Sequence, residues 1–196
     1  MTRAQALVTR PKSTLTALAV TLLAAGVAVG SGADFTSKTA NPANTFTAGT
    51  LVMDNSKDAA AIFNPANMKP GGAPQTGTVD IENKGSLGAT FTVSRDQLSN
   101  TDTGTSNPAA FATRVNLVVT DCGEFSGAAA AACGDANDSQ VYSGTLAAMD
   151  AAAALGDYSA GEKHRYQFAA DLDSSAGNEY QGDSSSARFV WDAAQQ

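Results

Sequence analysis

Histidine is almost absent from this chain of 196 residues, and the single copy excludes many kinds of active site. A zinc hydrolase of the H-E-x-x-H type needs two histidines on one helix face with a glutamate between them. His164 lies instead in the stretch GEKHR, at the start of a predicted strand. The sequence also lacks a G-x-S-x-G nucleophile motif and a glycine-rich phosphate-binding loop. We therefore interpret His164 as an ordinary surface or strand-edge residue and predict that the protein is not an enzyme.

Basic residues are also scarce, with 12 Lys and Arg against 19 Asp and Glu. Three of the basic residues (Arg3, Arg10 and Lys12) precede residue 34 and no acidic residue does, so residues 34–196 carry a net charge of −10. Nucleic acids and anionic lipids are bound through clusters of Lys and Arg. We therefore predict neither nucleic acid nor membrane as a partner of the mature chain.

The first 33 residues have the pattern of a secretory signal peptide. A short basic head leads into an uncharged run over residues 13–33, and the run ends in the small residues Gly30, Ser31, Gly32 and Ala33. Its Ala-rich apolar part is marginal for a transmembrane helix, which needs about 20 apolar residues. We predict cleavage after Ala33, a secreted protein, and a single domain over residues 34–196. The alternative is an uncleaved N-terminal anchor.

Only two cysteines are present, Cys122 and Cys133, and both lie in the predicted exported part. Exported proteins meet an oxidising environment, so a structural disulfide is expected. Closing this small loop would stabilise the fold by roughly 2–3 kcal/mol. The alternative is a redox-active pair, although the spacing is far from C-x-x-C.

Alternation of apolar and polar residues predicts an all-β fold. Val79 and Ile81 alternate with Asp80 and Glu82, and a turn sequence separates this run from the next. We predict an antiparallel β-sandwich, jelly-roll-like, with one or two short helices. Helix-like spacing occurs at residues 145–155, with Gly156 as a C-terminal cap. The predicted strands cover residues 45–53, 77–83, 88–95, 114–121, 163–172 and 187–191.

Two acidic loops contain oxygen ligands of the kind that Ca²⁺ prefers. They hold Asp135 with Asp138, and Asp171 with Asp173. Neither loop matches the EF-hand pattern, and acidic loops are usually only solvated. We predict no cofactor and no metal site, with calcium as the alternative.

Three blocks, in order along the chain, resemble the TasA/camelysin family of secreted bacterial biofilm-matrix and spore-coat-associated proteins. The first contains NTFTAGTL at residues 44–51, after ADFTS at 33–37. The second contains MKPG at 68–71 and GTVDIENKGSL at 77–87. The third contains YQFAADL at 166–172, NEYQG at 178–182 and FVW at 189–191. The chain is therefore similar to this family over nearly all of its predicted mature length.

The resemblance implies a jelly-roll sandwich that is exported and assembles into extracellular fibres of a biofilm matrix. It also implies that the segment after the signal peptide acts as a donor strand, which pairs with a neighbouring subunit. Camelysin adds the description of a metalloendopeptidase, for which no zinc motif is visible.

Our first hypothesis is a structural protein of the extracellular matrix or cell surface that self-associates into filaments and contacts other matrix proteins or the cell wall. An exported sandwich has open strand edges, and a polar tail could add a strand to such an edge. Residues 34–50 are the possible donor strand, and the predicted assembly residues are Asp34, Phe35, Asn44, Phe46, Gly49 and Leu51. For the same region, the competing hypothesis is that residues 45–53 form the first strand of their own sandwich.

Two further hypotheses concern the function of the whole chain. One is a secreted cell-surface binding or adhesion module, and the other is a camelysin-like metalloendopeptidase.

Overall fold

A computed structural model describes residues 47–103, 110–127 and 129–196 of the chain. The chain divides into two compact units, residues 1–47 and 48–196. Of the first unit only Thr47 is among the described residues, so the predicted signal peptide lies outside them. The fold described below is that of the second unit.

The second unit is built from β-strands and three short 3₁₀ turns. These turns cover Phe111–Thr113, Leu146–Ala148 and Asn178–Tyr180. The strands are β1 Met53–Asn55, β2 Gln75–Asn83, β3 Ala89–Thr101, β4 Val115–Glu124, β5 Ser139–Thr145, β6 Ala153–Tyr158, β7 Lys163–Leu172 and β8 Ser184–Gln195.

The strands form two antiparallel sheets. The larger sheet has the order β1-β2-β7-β4-β5 and the smaller one the order β6-β3-β8. All pairings between these eight strands are antiparallel. The predicted all-β antiparallel sandwich is therefore confirmed.

The core lies between the sheets because each central strand buries every second side chain. In β2, Val79 and Ile81 are buried, whereas Asp80 and Glu82 are not. β7 follows the same rule from Tyr166 to Leu172. The largest fully buried side chains are Tyr158, Tyr166, Phe91, Phe168, Ile81, Leu117 and Met149.

The predicted helix over residues 145–155 is wrong. A 3₁₀ turn at Leu146–Ala148 is followed by β6, which begins at Ala153 and pairs with β3. Gly156 lies within β6 at φ +105°, beside a register shift in β3, and caps no helix. An isolated helix of this length is marginal in water, whereas pairing with β3 satisfies the backbone of both strands.

The predicted strand over residues 45–53 is also largely absent, as far as those residues are described. Residues 47–52 are not in a strand, and β1 begins only at Met53. The backbone of residues 50–52 instead bonds to the turn between β2 and β3. The alternating pattern predicted a strand here, but a turn can satisfy the backbone hydrogen-bonding groups of an extended segment without any strand pairing.

Candidate functional site

Among the described strands, none lies beside the outer edge of β8 in the smaller sheet. In a complete jelly roll each sheet has four strands, and the first strand lies beside the last. Here β8, the last strand, pairs only with β3 among the described strands, and β1 pairs with β2 in the other sheet. The position that a first strand would occupy in the smaller sheet is therefore unfilled within the described part of the chain.

A cleft of about 1150 Å³ opens beside this edge. One wall is the segment over residues 55–70, which connects β1 to β2, and another is β8 itself. Its apolar lining includes buried side chains, among them Leu172 and Trp191, and partly buried ones such as Phe63, Met68, Phe111 and Phe189.

The open edge of β8 is longer than the other open edges of the described sheets. β8 has 12 residues, whereas the edge strands β1, β5 and β6 have 3, 7 and 6. Register shifts interrupt the pairing of β5, of β6 and of β8 alike, so length is what distinguishes β8. Natural proteins usually shorten or cover such edges, because unpaired N–H and C=O groups bind other strands. β8 is therefore the longest open edge in the described fold.

Residues 50–52 are held by the turn between β2 and β3, and we call this contact the N-terminal clamp (residues 50–52 with 85–87). The Thr50 N–H donates to Ser86 Oγ at 2.9 Å, and the Ser86 N–H donates to the Thr50 carbonyl at 2.9 Å. The Gly85 N–H donates to the Val52 carbonyl at 3.1 Å. These bonds fix where the chain enters the second unit.

Two of the predicted assembly residues fall within the described chain, next to this clamp. A Cβ atom at Gly49 would lie 2.3 Å from the Leu87 side chain, so the close approach favours glycine. Leu51 and its neighbour Val52 are 39% and 46% exposed. The other four, Asp34, Phe35, Asn44 and Phe46, lie outside the described residues.

Asn83 holds the turn in place, although no sequence pattern marks it as a functional residue. Its side chain is fully buried, and its amide donates to the carbonyls of Leu87 at 2.8 Å and Tyr158 at 3.2 Å. Its side-chain oxygen accepts from the Gly85 N–H at 3.0 Å. The one signal for it is its place at the start of NKGSL, in the second family block.

His164 lies near the start of β7, a central strand, and is not the exposed residue that its sequence context suggested. Its side chain is 17% exposed and lies between two carboxylates. Nδ1 is 2.8 Å from Asp121 Oδ2, and Nε2 is 3.1 Å from Glu162 Oε1. Burial lowers the pKa of His164, but the bonds and charges of Asp121 and Glu162 outweigh burial and raise it.

Two buried tyrosines lie beneath the histidine. The Tyr158 ring centre is 4.7 Å from that of His164, and the Tyr158 hydroxyl bonds to the Tyr166 hydroxyl. Burial raises the pKa of both tyrosines, so both remain neutral at physiological pH. The cluster ties β4, β6 and β7 together from the core to the surface.

Cys122 and Cys133 form a disulfide, as predicted, with their Cα atoms 4.8 Å apart. Cys122 is buried in β4, and Cys133 lies in the loop that leads to β5. The disulfide is therefore on the β4–β5 side of the larger sheet.

Comparison with protein families gives a match over almost the whole chain. The family described as camelysin metallo-endopeptidase matches residues 12–196. The chain belongs to this family. A comparison with curated proteins found no match. The family membership confirms the resemblance that the three sequence blocks indicated.

The family description implies a catalytic metal, and the residues of this chain fit one poorly. Its one histidine directs both ring nitrogens at carboxylates, and both cysteines are in the disulfide. The described residues contain no group of three or more His, Cys, Asp or Glu that could hold a metal ion. A zinc centre of histidine or thiolate ligands therefore has no donor set in this chain.

The acidic loop around Asp135 is organised by its own backbone. Asp135 accepts from the Asn137 N–H at 2.8 Å, and Asp138 accepts from the Gly134 N–H at 2.6 Å. No observation tests calcium binding by this loop, which stays the alternative to the prediction of no cofactor. No helix in the described ranges is long and apolar enough to span a membrane.

Proposed function

We propose that this protein is a secreted structural subunit that assembles into extracellular fibres by strand addition. In this proposal, a segment of one subunit between Asp34 and Phe46 occupies the unfilled position beside β8 of the next. The location outside the cell, the processing after Ala33 and contacts with other matrix proteins or the cell wall are parts of the same proposal.

The observation that supports the proposal best is the combination of the open β8 edge with the cleft beside it. Main-chain groups of an added strand would pair with β8, and alternate side chains would enter the cleft. Phe63 and Phe189, both partly buried, line the cleft where those side chains would pack. Strand addition would then complete the smaller sheet with a fourth strand.

The donor segment has the length and composition for this task. Its 13 residues span at most about 43 Å when extended, and the 12 residues of β8 span about 40 Å. The segment is mostly polar, and Pro42 is acceptable in a strand at a sheet edge. It lacks the apolar content to form a core of its own, so pairing with a partner would order it.

Strand addition from one subunit to the next is a heterologous contact, which generates an open filament when the rotation does not close. Before signal removal the donor segment is continuous with the apolar run. Cleavage near Ala33 would release the segment and start assembly.

Electron microscopy of purified chain beginning at Asp34 tests the proposal. We expect filaments from this chain and only monomers from one that lacks residues 34–44. A matched control replaces residues 34–44 with a Gly/Ser segment of equal length, which retains the length but not the side chains. Filaments of undiminished yield from the deletion variant would contradict strand donation.

The family description supports a second candidate, a secreted metallo-endopeptidase. Zinc content of the purified chain and proteolysis of an unfolded substrate, each with and without a chelator, test it. A stoichiometric metal together with chelator-sensitive proteolysis would establish this activity. Zinc near zero and no such proteolysis would remove it.

A further inference from the structure

We infer that the N-terminal clamp makes the β8 edge selective for the segment of a neighbouring subunit over the subunit's own segment. The selection acts through strand direction, since only a neighbour's segment would add to β8 antiparallel. This inference rests on the proposed function and assigns a positioning role to the clamp.

The second unit has two distinct ends along β8. At one end, Ala89 pairs with Gln195, and the Gln196 N–H bonds to the Gly88 carbonyl, next to residues 85–87 of the clamp. At the other end, Thr101 pairs with Ser184. We call these the clamp end and the cleft end, because residues 180–186, which precede and begin β8, line the cleft.

The chain enters the second unit at the clamp end, because Thr50 is bonded to Ser86 there. A subunit's own donor segment would therefore have to finish at the clamp end if it lay beside β8. β8 also finishes at the clamp end, at Gln195. The subunit's own segment would consequently run parallel to β8.

A neighbour's segment approaches from the opposite direction. In a head-to-tail filament, the clamp end of one subunit meets the cleft end of the next. The donor segment then finishes at the cleft end, where β8 begins at Ser184, and it runs antiparallel to β8. This direction continues a sandwich whose strand pairs are all antiparallel in the described chain.

Length alone would not prevent self-addition. The segment reaches about 43 Å, which is enough to cover the roughly 40 Å of β8. Direction therefore makes the difference, since parallel pairing has slanted bonds and is slightly less stable per residue than antiparallel pairing. Holding the entry point at the clamp end leaves the edge available to a neighbour.

Pairs of introduced cysteines in the chain from Asp34 test the direction of the added strand. T45C combined with S184C or S186C reports antiparallel addition, and T45C combined with D192C or A194C reports parallel addition. N44C replaces T45C in a second set, because consecutive side chains of a strand point to opposite faces. Each variant is oxidised after assembly and run on a non-reducing gel. The native disulfide lies within one chain and contributes no ladder.

We expect a ladder of dimers, trimers and longer species from the S184C or S186C pairs. We expect no ladder from the D192C and A194C pairs. The single-cysteine variants, which can give dimers only, are the controls. A ladder from D192C or A194C would overturn the inference, as would filaments without any of these links. Absence of filaments from the unmodified chain would instead overturn the proposed function.

Discussion

Thr50 and Ser86 bond to each other in both directions, through the Thr50 N–H to Ser86 Oγ and the Ser86 N–H to the Thr50 carbonyl, each at 2.9 Å. The first bond depends on a side chain and the second does not. Removing the Ser86 hydroxyl therefore weakens the clamp without abolishing the turn, and the first prediction uses this difference.

Ser86→Ala should lower the free energy of unfolding by only about 0.5–1.5 kcal/mol, since Thr50 is exposed and its N–H can turn to water. In the T45C and S184C background, the same change should decrease the ladder of linked subunits, because the point at which the donor segment leaves the subunit is held less firmly. Urea unfolding and non-reducing gels measure the two effects. Ser143→Ala, at an exposed position of β5, is the control and should change neither. An unchanged ladder would argue against a role for the clamp.

Asn83→Ala should destabilise the fold more than most polar substitutions. It removes three hydrogen bonds and leaves the carbonyl of Tyr158 without this donor in a buried site. An unsatisfied buried polar group costs about 1–3 kcal/mol, so we expect a loss of about 2–3 kcal/mol in urea unfolding. Asn137→Ala, at an exposed loop position, should stay within about 0.5 kcal/mol. Equal effects of the two substitutions would show that Asn83 does not hold the turn.

His164 should make stability depend on pH in the neutral range. Its folded-state pKa is raised above 6.5, so the stabilisation is fully present below that pH and is lost as pH rises through the folded pKa. A neutral imidazole has one N–H, and it cannot donate to both Asp121 and Glu162. One of the two carboxylates therefore loses its partner.

Unfolding free energies of the unmodified chain and of His164→Gln, measured from about pH 5 to about pH 9, isolate this contribution. The difference between the two should be largest at the acidic end and should shrink as pH rises. Subtracting the variant's curve removes the pH dependence that comes from titratable groups present in both proteins. Tyr158 stays neutral over this range. A difference that is constant with pH would contradict the charged bridge.

Replacing both cysteines by serine should lower the free energy of unfolding by about 2–3 kcal/mol, because the disulfide closes a short loop. Filament formation should nevertheless continue under conditions in which the variant is folded. The disulfide joins β4 to the loop before β5, whereas the acceptor edge belongs to β8 in the other sheet. Loss of filaments from a folded variant would place the β5 side in the assembly contact as well.

Alternation alone predicted much of the sandwich, because a strand with one buried face must place apolar residues at every second position. β2 and β7 follow this rule closely, and both were found near their predicted bounds. For residues 145–155 the sequence pattern predicted the wrong structure, because alanine is compatible with a helix, a turn or a strand. Pairing with β3 decided among these, and that contact joins residues about 60 positions apart or more.

Sequence by itself determined the β-rich class, the pairing of the only two cysteines and membership in the family, since each depends on local pattern or residue count. Only the tertiary structure decided that β8 has an open edge among the described strands, that Asn83 and Ser86 hold residues 50–52, and that His164 lies between Asp121 and Glu162. These relationships join distant parts of the chain, and no local pattern encodes which strand is left without a neighbour. The tertiary structure also decided the direction of the chain at the clamp, because that direction depends on which end of the sandwich the entering segment meets.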